Sequence, residues 1–283
     1  MVAEDFLTER VVLITGGAGS LGSALVERLV SYPVKSIRIL DNDENRLVWL
    51  EQKVKDDRLR LLLGDIKDAW RTRMAVDGVD MVIHCAALKH IELSMRNPFE
   101  YVSTNVVGLQ QMINSTLEER NVERFLTISS DKSINPTSPY DATKLLQEFI
   151  TVHAEKYKGD RKTLFSVARP PNYLKSSGSV IEKWEYQKSQ GNPLTVTHNE
   201  MKRYFMPMEK IVDFVLGSLE KMKGGEIFVP ADLIERSIYE MALEISDQIV
   251  FSGLREGEKL RQPLMTESEM VKATRDDDVW VIK

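Results

Sequence analysis

The sequence predicts an α/β fold: a doubly wound parallel sheet with helices on both faces, followed by a smaller C-terminal lobe. Three observations carry that reading. Short β-branched apolar runs alternate with helix-spaced apolar patterns up to residue 168, a glycine cluster "TGGAGSLG" sits at the first strand-to-helix junction, and the composition shifts near Arg169. Strands alternating with helices at this spacing need crossover connections, and hence parallel pairing.

"RVVLITGG" (10–17) reads as a buried strand, and "SLGSALVERLV" (20–30) as the helix after it. "SIRIL" (36–40), "RLRLLLGD" (58–65) and "VDMVIHCAA" (79–87) are the next strands, with the amphipathic helix "ENRLVWLEQKV" (44–54) between the first two. "TNVVGLQQMINSTLEERN" (104–121) reads as one long helix and "VERFLTISS" (122–130) as a strand. Ser138 and Pro139 suit the N-cap and first residue of another helix. After "LFSVARPPN" (164–172) the rhythm changes, and residues 170–205 look irregular, rich in Ser, Gly, Pro and Lys. Helix "MEKIVDFVLGSLEKM" (208–222), strand "GEIFVP" (225–230), helix "SIYEMALEIS" (237–246) and a polar tail follow. The expected division is 1–168 and 169–283, the second part interleaved with the first.

With 283 residues, 42% of them hydrophobic and 29% charged, the chain can bury a sizeable core. A net charge of -5 and scattered basic residues argue against nucleic acid or anionic membrane as partner. The single cysteine, Cys85, excludes an internal disulfide and fits a reducing compartment. The four histidines lack metal-ligand spacing, so no metal is expected. "MVAEDFLTER" has no apolar signal region, and no uncharged run is long enough to span a bilayer; a cytoplasmic protein is expected.

Gly16, Gly19 and Gly22 form a GxxGxxG frame. Such glycines let the backbone turn tightly and let a pyrophosphate approach the helix start, here at Ser20 and Leu21. The preceding strand, the following helix and an acid about 20 residues on complete a Rossmann-type dinucleotide pattern. That acid is Asp41, able to accept from ribose hydroxyls and to repel a 2′-phosphate. Asn42 and Asp43 follow it without a cation, which favours NAD over NADP. Asp65, in the pair Gly64-Asp65, either bonds the adenine amino group or caps the next turn.

Tyr140 and Lys144 lie four apart on one helical face. A phenol ionises near pH 10, and an adjacent ammonium together with a cationic nicotinamide should lower that value. Such a tyrosine takes a proton from a substrate hydroxyl while hydride leaves the same carbon. Ser130 would hydrogen-bond that hydroxyl. A surface Tyr and Lys on an amphipathic helix is the plain alternative.

Taken together, the glycine motif, "HCAALKH", "STNVVG" and "YDATK" resemble the extended short-chain dehydrogenase/reductase superfamily, NAD(P) enzymes that mostly act on nucleotide sugars. "SSDKSINPTSPYDATK" is similar to the STDKAxNPxNxYGATK signature of inverting UDP-N-acetylglucosamine 4,6-dehydratases, and the similarity continues through "MKRYF", "GGEIFVP", "REGEKL" and "DDDVWVIK". The resemblance implies a lyase of polysaccharide biosynthesis with a UDP-sugar substrate. Lys132 would remove the C5 proton, and Asp131 would help donate to the departing C6 hydroxyl. A salt bridge or capping pair is the structural alternative for those two. The resemblance also puts Ile66 and Ala86 at the cofactor. Lys89, Asn172, Arg203, Arg255 and Glu258 fall beside the substrate, and Asn105 behind the active-site helix. A guanidinium suits a diphosphate by geometry and charge.

Two departures stand out. NADP-using relatives carry Ser-Arg where this chain has Asp41-Asn42. The family's RYGNVxGSxGSV becomes "ARPPNYLKSSGSV", retaining Arg169, Asn172, Gly178, Ser179 and Val180 but replacing Tyr and Gly with Pro170 and Pro171. Proline fixes φ and removes a donor, so the backbone there must run differently or lose a hydrogen bond. A UDP-sugar C4 epimerase, or a nucleotide-binding relative without turnover, are the competing readings. Amphipathic helices at 104–121 and 142–157 lead us to expect a homo-oligomer.

Overall fold

A computed structural model describes residues 2–174, 179–231 and 233–283. The first six strands are β1 (Val11–Thr15), β2 (Ser36–Asp41), β3 (Leu59–Leu63), β4 (Met81–His84), β5 (Arg124–Ile128) and β6 (Leu164–Ala168). They lie in the order 3-2-1-4-5-6 and are parallel throughout. The later strands are β7 (Asn172–Tyr173), β8 (Leu194–Val196), β9 (Lys202–Met206), β10 (Ile227–Pro230), β11 (Ile234–Ser237), β12 (Ile249–Phe251), β13 (Thr274–Asp276) and β14 (Val279–Ile282). β10 adds parallel to β6, and the antiparallel pair β14 and β13 completes a nine-stranded sheet.

Helices α1 (Glu4–Leu7), α2 (Ser20–Leu29), α3 (Glu44–Val54) and α4 (Ala69–Val76) come first. α5 (Ile91–Arg96), α6 (Pro98–Tyr101), α7 (Gly108–Glu118), α8 (Pro139–Tyr157) and α9 (Val180–Ser189) follow, then α10 (Met208–Lys221), α11 (Ile238–Leu243) and α12 (Glu267–Lys272). β1 and β4 are buried along their whole length, as the near-continuous apolar reading of parallel strands requires. The period-2 alternation of β1 sends Val12 and Ile14 to a core shared with Leu25 of α2 and Val215 of α10. It sends Leu13 to the opposite core, with Val76 of α4, Met112 of α7 and Ala154 of α8. Strand order reverses between β1 and β4, and the carboxyl ends on either side of that point form the crevice where such sheets bind ligands. A separate cluster around fully buried Trp184, with Leu194, Met201 and Met241, forms the small lobe. No described helix is long and apolar enough to cross a membrane.

Three segments differ from the sequence expectation. The helix expected over 104–121 begins as a π turn, Val102–Val107, and ends at Glu118. The wide turn sits where Asn105 is buried and bonded at both ends of its amide, a constraint that apolar periodicity does not register. Residues 170–205 are not uniformly irregular; they carry β7, α9, β8 and β9, strands too short to show alternation. The polar tail contains α12 and the β13–β14 hairpin, turned at Asp277 with φ +53°. Its aspartate run is turn chemistry that hides the strands on either side.

The two prolines fit where the chain leaves the large sheet. Pairing with β5 ends at Ala168, Arg169 N donates to the Phe228 carbonyl, and pairing with β9 begins at Asn172. No described peptide bond is cis. Pro170 and Pro171 therefore span a step at which neither sheet's pairing uses an N–H. Gly178 lies outside the described residues.

Gly22 lets α2 lie against β1's turn: an added Cβ would come within 2.4 Å of Gly16 O and 2.5 Å of Gly17 Cα. In an ordinary helix interior Gly→Ala stabilises by about 1 kcal/mol. Here Gly22→Ala should lower the thermal midpoint and weaken dinucleotide binding, because the obstructing atoms are backbone. An unchanged or raised midpoint in a melting experiment would contradict this close approach.

Candidate active site

The cofactor side is built from the glycine turn. Gly16 has φ +62°, and a side chain there would meet Ala86 Cα at 2.7 Å. Gly17, which the motif reading passed over, is equally confined, with Ile39 Cγ2 at 2.7 Å from its would-be Cβ. No side chain caps α2 at Gly19, and no acid sits in its first turn, which contains Ser20, Leu21 and Gly22. This leaves an electropositive helix start suited to an anion. Asp41 ends β2 beside it, its carboxylate accepting from Ala18 N and Asp43 N, each at 3.0 Å. Asp65 takes the turn-forming role that was its alternative reading: it accepts from Lys67 N at 2.9 Å and pairs with the Lys67 ammonium at 3.6 Å. Ile66 is buried against Gly108, while Ala86 N donates to the Thr15 hydroxyl at 3.3 Å. A narrow turn, an uncapped helix start and a carboxylate at the next strand end fit a dinucleotide.

α8 starts as its sequence predicts, with Ser138 Oγ accepting from Asp141 N at 3.1 Å and Pro139 as first residue. Tyr140 and Lys144 are both buried on its inner face. The Lys144 ammonium donates to the Ile128 carbonyl at 2.7 Å and to Gln147 Oε1 at 2.5 Å. Asn105 supports the helix as expected: its Nδ2 donates to Thr143 Oγ1 at 2.9 Å and to the Leu88 carbonyl at 3.0 Å.

Burial pushes the Tyr140 phenol above its ordinary range; a hydrogen bond with Ser130 pulls it down, and Asp131 pushes it up again. The sequence expectation joins the lysine to a cationic nicotinamide; in the protein alone, burial is the largest effect on the phenol. Lys144 itself is lowered to about 8, by burial first, against the raising effects of Glu148 and Cys85.

Facing Tyr140 is the one-turn helix Asp131–Ser133, capped by Ser130 Oγ, which accepts from Lys132 N at 3.0 Å. The Lys132 ammonium lies 3.1 Å from both Asp131 oxygens. Ser130 Oγ and Asn172 Nδ2 also donate to that carboxylate, at 3.1 and 2.8 Å. The ion pair that was the structural alternative is thus present, in a buried position beside the Tyr140 phenol. Ser130, Asp131, Lys132, Tyr140, Lys144 and Asn172 form one constellation.

The other substrate-side candidates come from β9 and two loops. Arg203, on β9, donates to the carbonyls of Lys202, Leu260 and Lys259 at 2.7, 2.9 and 2.6 Å, and burial lowers its pKa. Arg255 pairs with Glu92 at 2.7 Å, and Glu258 accepts from Arg255 N at 3.1 Å. Lys89, in the loop after β4, is lowered by burial and by Arg46, and raised by Glu182. Sequence reasoning missed the braces. Gln262 Nε2 donates to the Asp131 carbonyl at 2.7 Å, and Lys259 donates to the Ile134 carbonyl at 2.8 Å. Arg169 is fully buried between Glu148, at 2.6 Å, and Glu269, at 2.8 Å. Only Arg169 had a visible signal, being a cation at the end of an apolar strand.

Residues 12–283 match the family described as polysaccharide biosynthesis protein. An uncharacterised membrane protein of Methanocaldococcus jannaschii is 41% identical over 98% of this chain and 87% of its own. An inverting UDP-N-acetylglucosamine 4,6-dehydratase of Campylobacter jejuni is 35% identical over 91% of this chain and 78% of its own. A UDP-glucose 4-epimerase of Rickettsia prowazekii is 31% identical over 94% and 80%. Among solved structures, Pen from Bacillus thuringiensis superposes with a TM-score of 0.93 at 31% identity, covering 98% of this chain and 89% of that one.

The buried phenol yields a direct test. In protein free of cofactor, spectrophotometric titration should show no tyrosinate from Tyr140 through the ordinary range near pH 10. Tyr140→Phe should leave the titration curve below that pH unchanged. Loss of one tyrosine's absorbance there would show the phenol to be less penalised by burial than the structure requires.

Proposed function

The chain belongs to the polysaccharide biosynthesis protein family of extended short-chain dehydrogenases/reductases, and from that membership we propose a specific activity. It is an NAD-dependent UDP-N-acetylglucosamine 4,6-dehydratase that inverts C5. The observation that carries this reading is the Asp131–Lys132 pair, in contact at 3.1 Å, next to Tyr140 and Ser130. Oxidising a hydroxyl needs only the tyrosine, its lysine and a cofactor. A second acid–base pair at the same point suits the removal of water. The 35% identical dehydratase supports the same reading.

Gly16, Gly19 and the first turn of α2 would hold the pyrophosphate of NAD, and Asp41 its ribose. Bound there, the cofactor supplies a hydride acceptor for C4 and a hydride donor for C6, and its cationic ring opposes the effect of burial on the phenol. Tyr140 takes the O4 proton, with Ser130 orienting the hydroxyl. The Lys132 ammonium first passes a proton to Asp131 across their 3.1 Å contact. The C4 ketone acidifies C5–H, so the freed Lys132 amine suffices as base, and Asp131 delivers its new proton to the departing C6 hydroxyl. One proton taken and one given leave the pair's total charge unchanged, which suits two coupled groups in one buried site. We place the enzyme in the cytoplasm as a homo-oligomer, a reading supported by exposed Val107, Leu146 and Phe149 on the helices flanking the site.

The C4 epimerase reading is favoured by the 31% identical relative. In that reaction hydride returns to C4, and C5 keeps its proton. NMR of UDP-N-acetylglucosamine incubated with enzyme and NAD in D₂O separates the two. We expect a 4-keto-6-deoxy product with deuterium at C5; a UDP-N-acetylgalactosamine signal would establish epimerisation, and an unaltered spectrum would reject both. Lys132→Ala should retain NAD binding and lose at least a hundredfold in dehydration rate, an order typical of a removed general base. Unimpaired water loss in that variant would take Lys132 out of the mechanism.

A further inference from the structure

Behind Lys144, one helical turn on, lies the fully buried Gln147. Its Oε1 accepts from the Lys144 ammonium at 2.5 Å, and its Nε2 donates to the Asn105 carbonyl, in the π turn, at 2.7 Å. An amide accepts at one end and donates at the other, and here each end is committed to a fixed partner. The other partner of the ammonium is the Ile128 carbonyl at 2.7 Å. Neither carbonyls nor amides take up or release protons near neutrality, so the groups gripping Lys144 from behind hold it without relaying its proton.

We propose that Gln147 is a positioning residue of the Tyr140–Lys144 pair, fixing the ammonium on the inner face of α8 one turn from Tyr140 and closing the rear of the site with a group that carries no mobile proton. This rests on the reading of Tyr140 and Lys144 as the hydroxyl-oxidising pair. The proton balance of dehydration suits a closed rear wall. The proton leaving O4 is matched by the one that departs with the C6 hydroxide as water, the C5 proton is removed and replaced, and the hydride passes from C4 to C6. In epimerisation both proton and hydride return to C4 and its oxygen. Neither reaction needs a net proton from bulk water.

The charged and titratable groups facing Lys144 are Glu148 on its own helix and, from the end of β4, Cys85 and His84. Against that fixed background two substitutions separate position from charge. Gln147→Met keeps length and removes both hydrogen bonds; Gln147→Glu keeps an acceptor and adds a carboxylate. The pH dependence of NAD binding, followed by calorimetry, should show an alkaline limb near 8 in the wild type, where Lys144 loses its proton. That limb should move down by about one pH unit in Gln147→Met and up by about one in Gln147→Glu, the size expected for one charge-assisted bond. With UDP-N-acetylglucosamine, Gln147→Met should lose roughly tenfold or more in kcat with KM within about twofold, and Gln147→Glu should recover part of it.

Wild-type limbs in both variants would overturn the proposal, as would an unaltered kcat in Gln147→Met. If Gln147→Met does not fold, the limb of Gln147→Glu decides alone. Tyr140→Phe serves as the control on the underlying reading. Hydride transfer surviving that change would defeat the assignment of the pair, and the binding limb would then judge Gln147 without it.

Discussion

An ammonium moved from water into a protein interior costs several kcal/mol unless acceptors replace the waters it loses. The Lys144 ammonium meets that demand with a carbonyl at the end of β5 and an amide oxygen on its own helix. Satisfying one cation therefore fixes the end of β5, the inner face of α8 and the π turn leading into α7 against one another. The remaining groups take their places from that junction. Tyr140 lies one turn before Lys144, and the capped turn at Asp131 follows β5 directly. Were the lysine to swing to solvent, Gln147 and the Asn105 carbonyl would lose the chain of partners that now aligns them.

The second half of the chain braces the first. Arg169 ties α8 to α12 through Glu148 and Glu269, in a buried, hydrogen-bonded arrangement. Breaking such a pair on one side leaves an uncompensated charge and is strongly destabilising. Gln262 and Lys259 hold the carbonyls of Asp131 and Ile134, so the turn after β5 is gripped from a segment more than a hundred residues further along. Arg203 in turn holds the carbonyls of Lys259 and Leu260. Arg203, expected from sequence beside the substrate, thereby helps to scaffold that turn.

Much of the large sheet was legible because its determinants are local: apolar runs of strand length, helix-spaced patterns, and glycines at a turn that tolerates nothing larger. Ser138 and Pro139 announced α8 in the same way. The missed parts depend on partners far away in sequence. Nothing local in "DDDVWVIK" says that its strand borders β10, nor does "REGEKL" reveal that Lys259 reaches Ile134. The burial of the Tyr140 phenol was hidden for a related reason. A four-residue spacing puts a cation on the same helical face, whereas burial is a property of the assembled core. Gln147 escaped attention because a glutamine on a helix is unremarkable until its two ends are seen to be occupied.

The grip of Lys259 and Gln262 on the turn after β5 has a consequence for how the protein is made. As the chain leaves the ribosome, β1 to β6 can pair early, since each lies beside a strand already synthesised. The turn at Asp131–Ser133, however, lacks its last clamps until the distal stretch emerges and docks. A nascent or prematurely terminated chain would thus offer a formed crevice at the strand ends beside an unsecured turn. On the function proposed above, competence for chemistry would be acquired late in biogenesis.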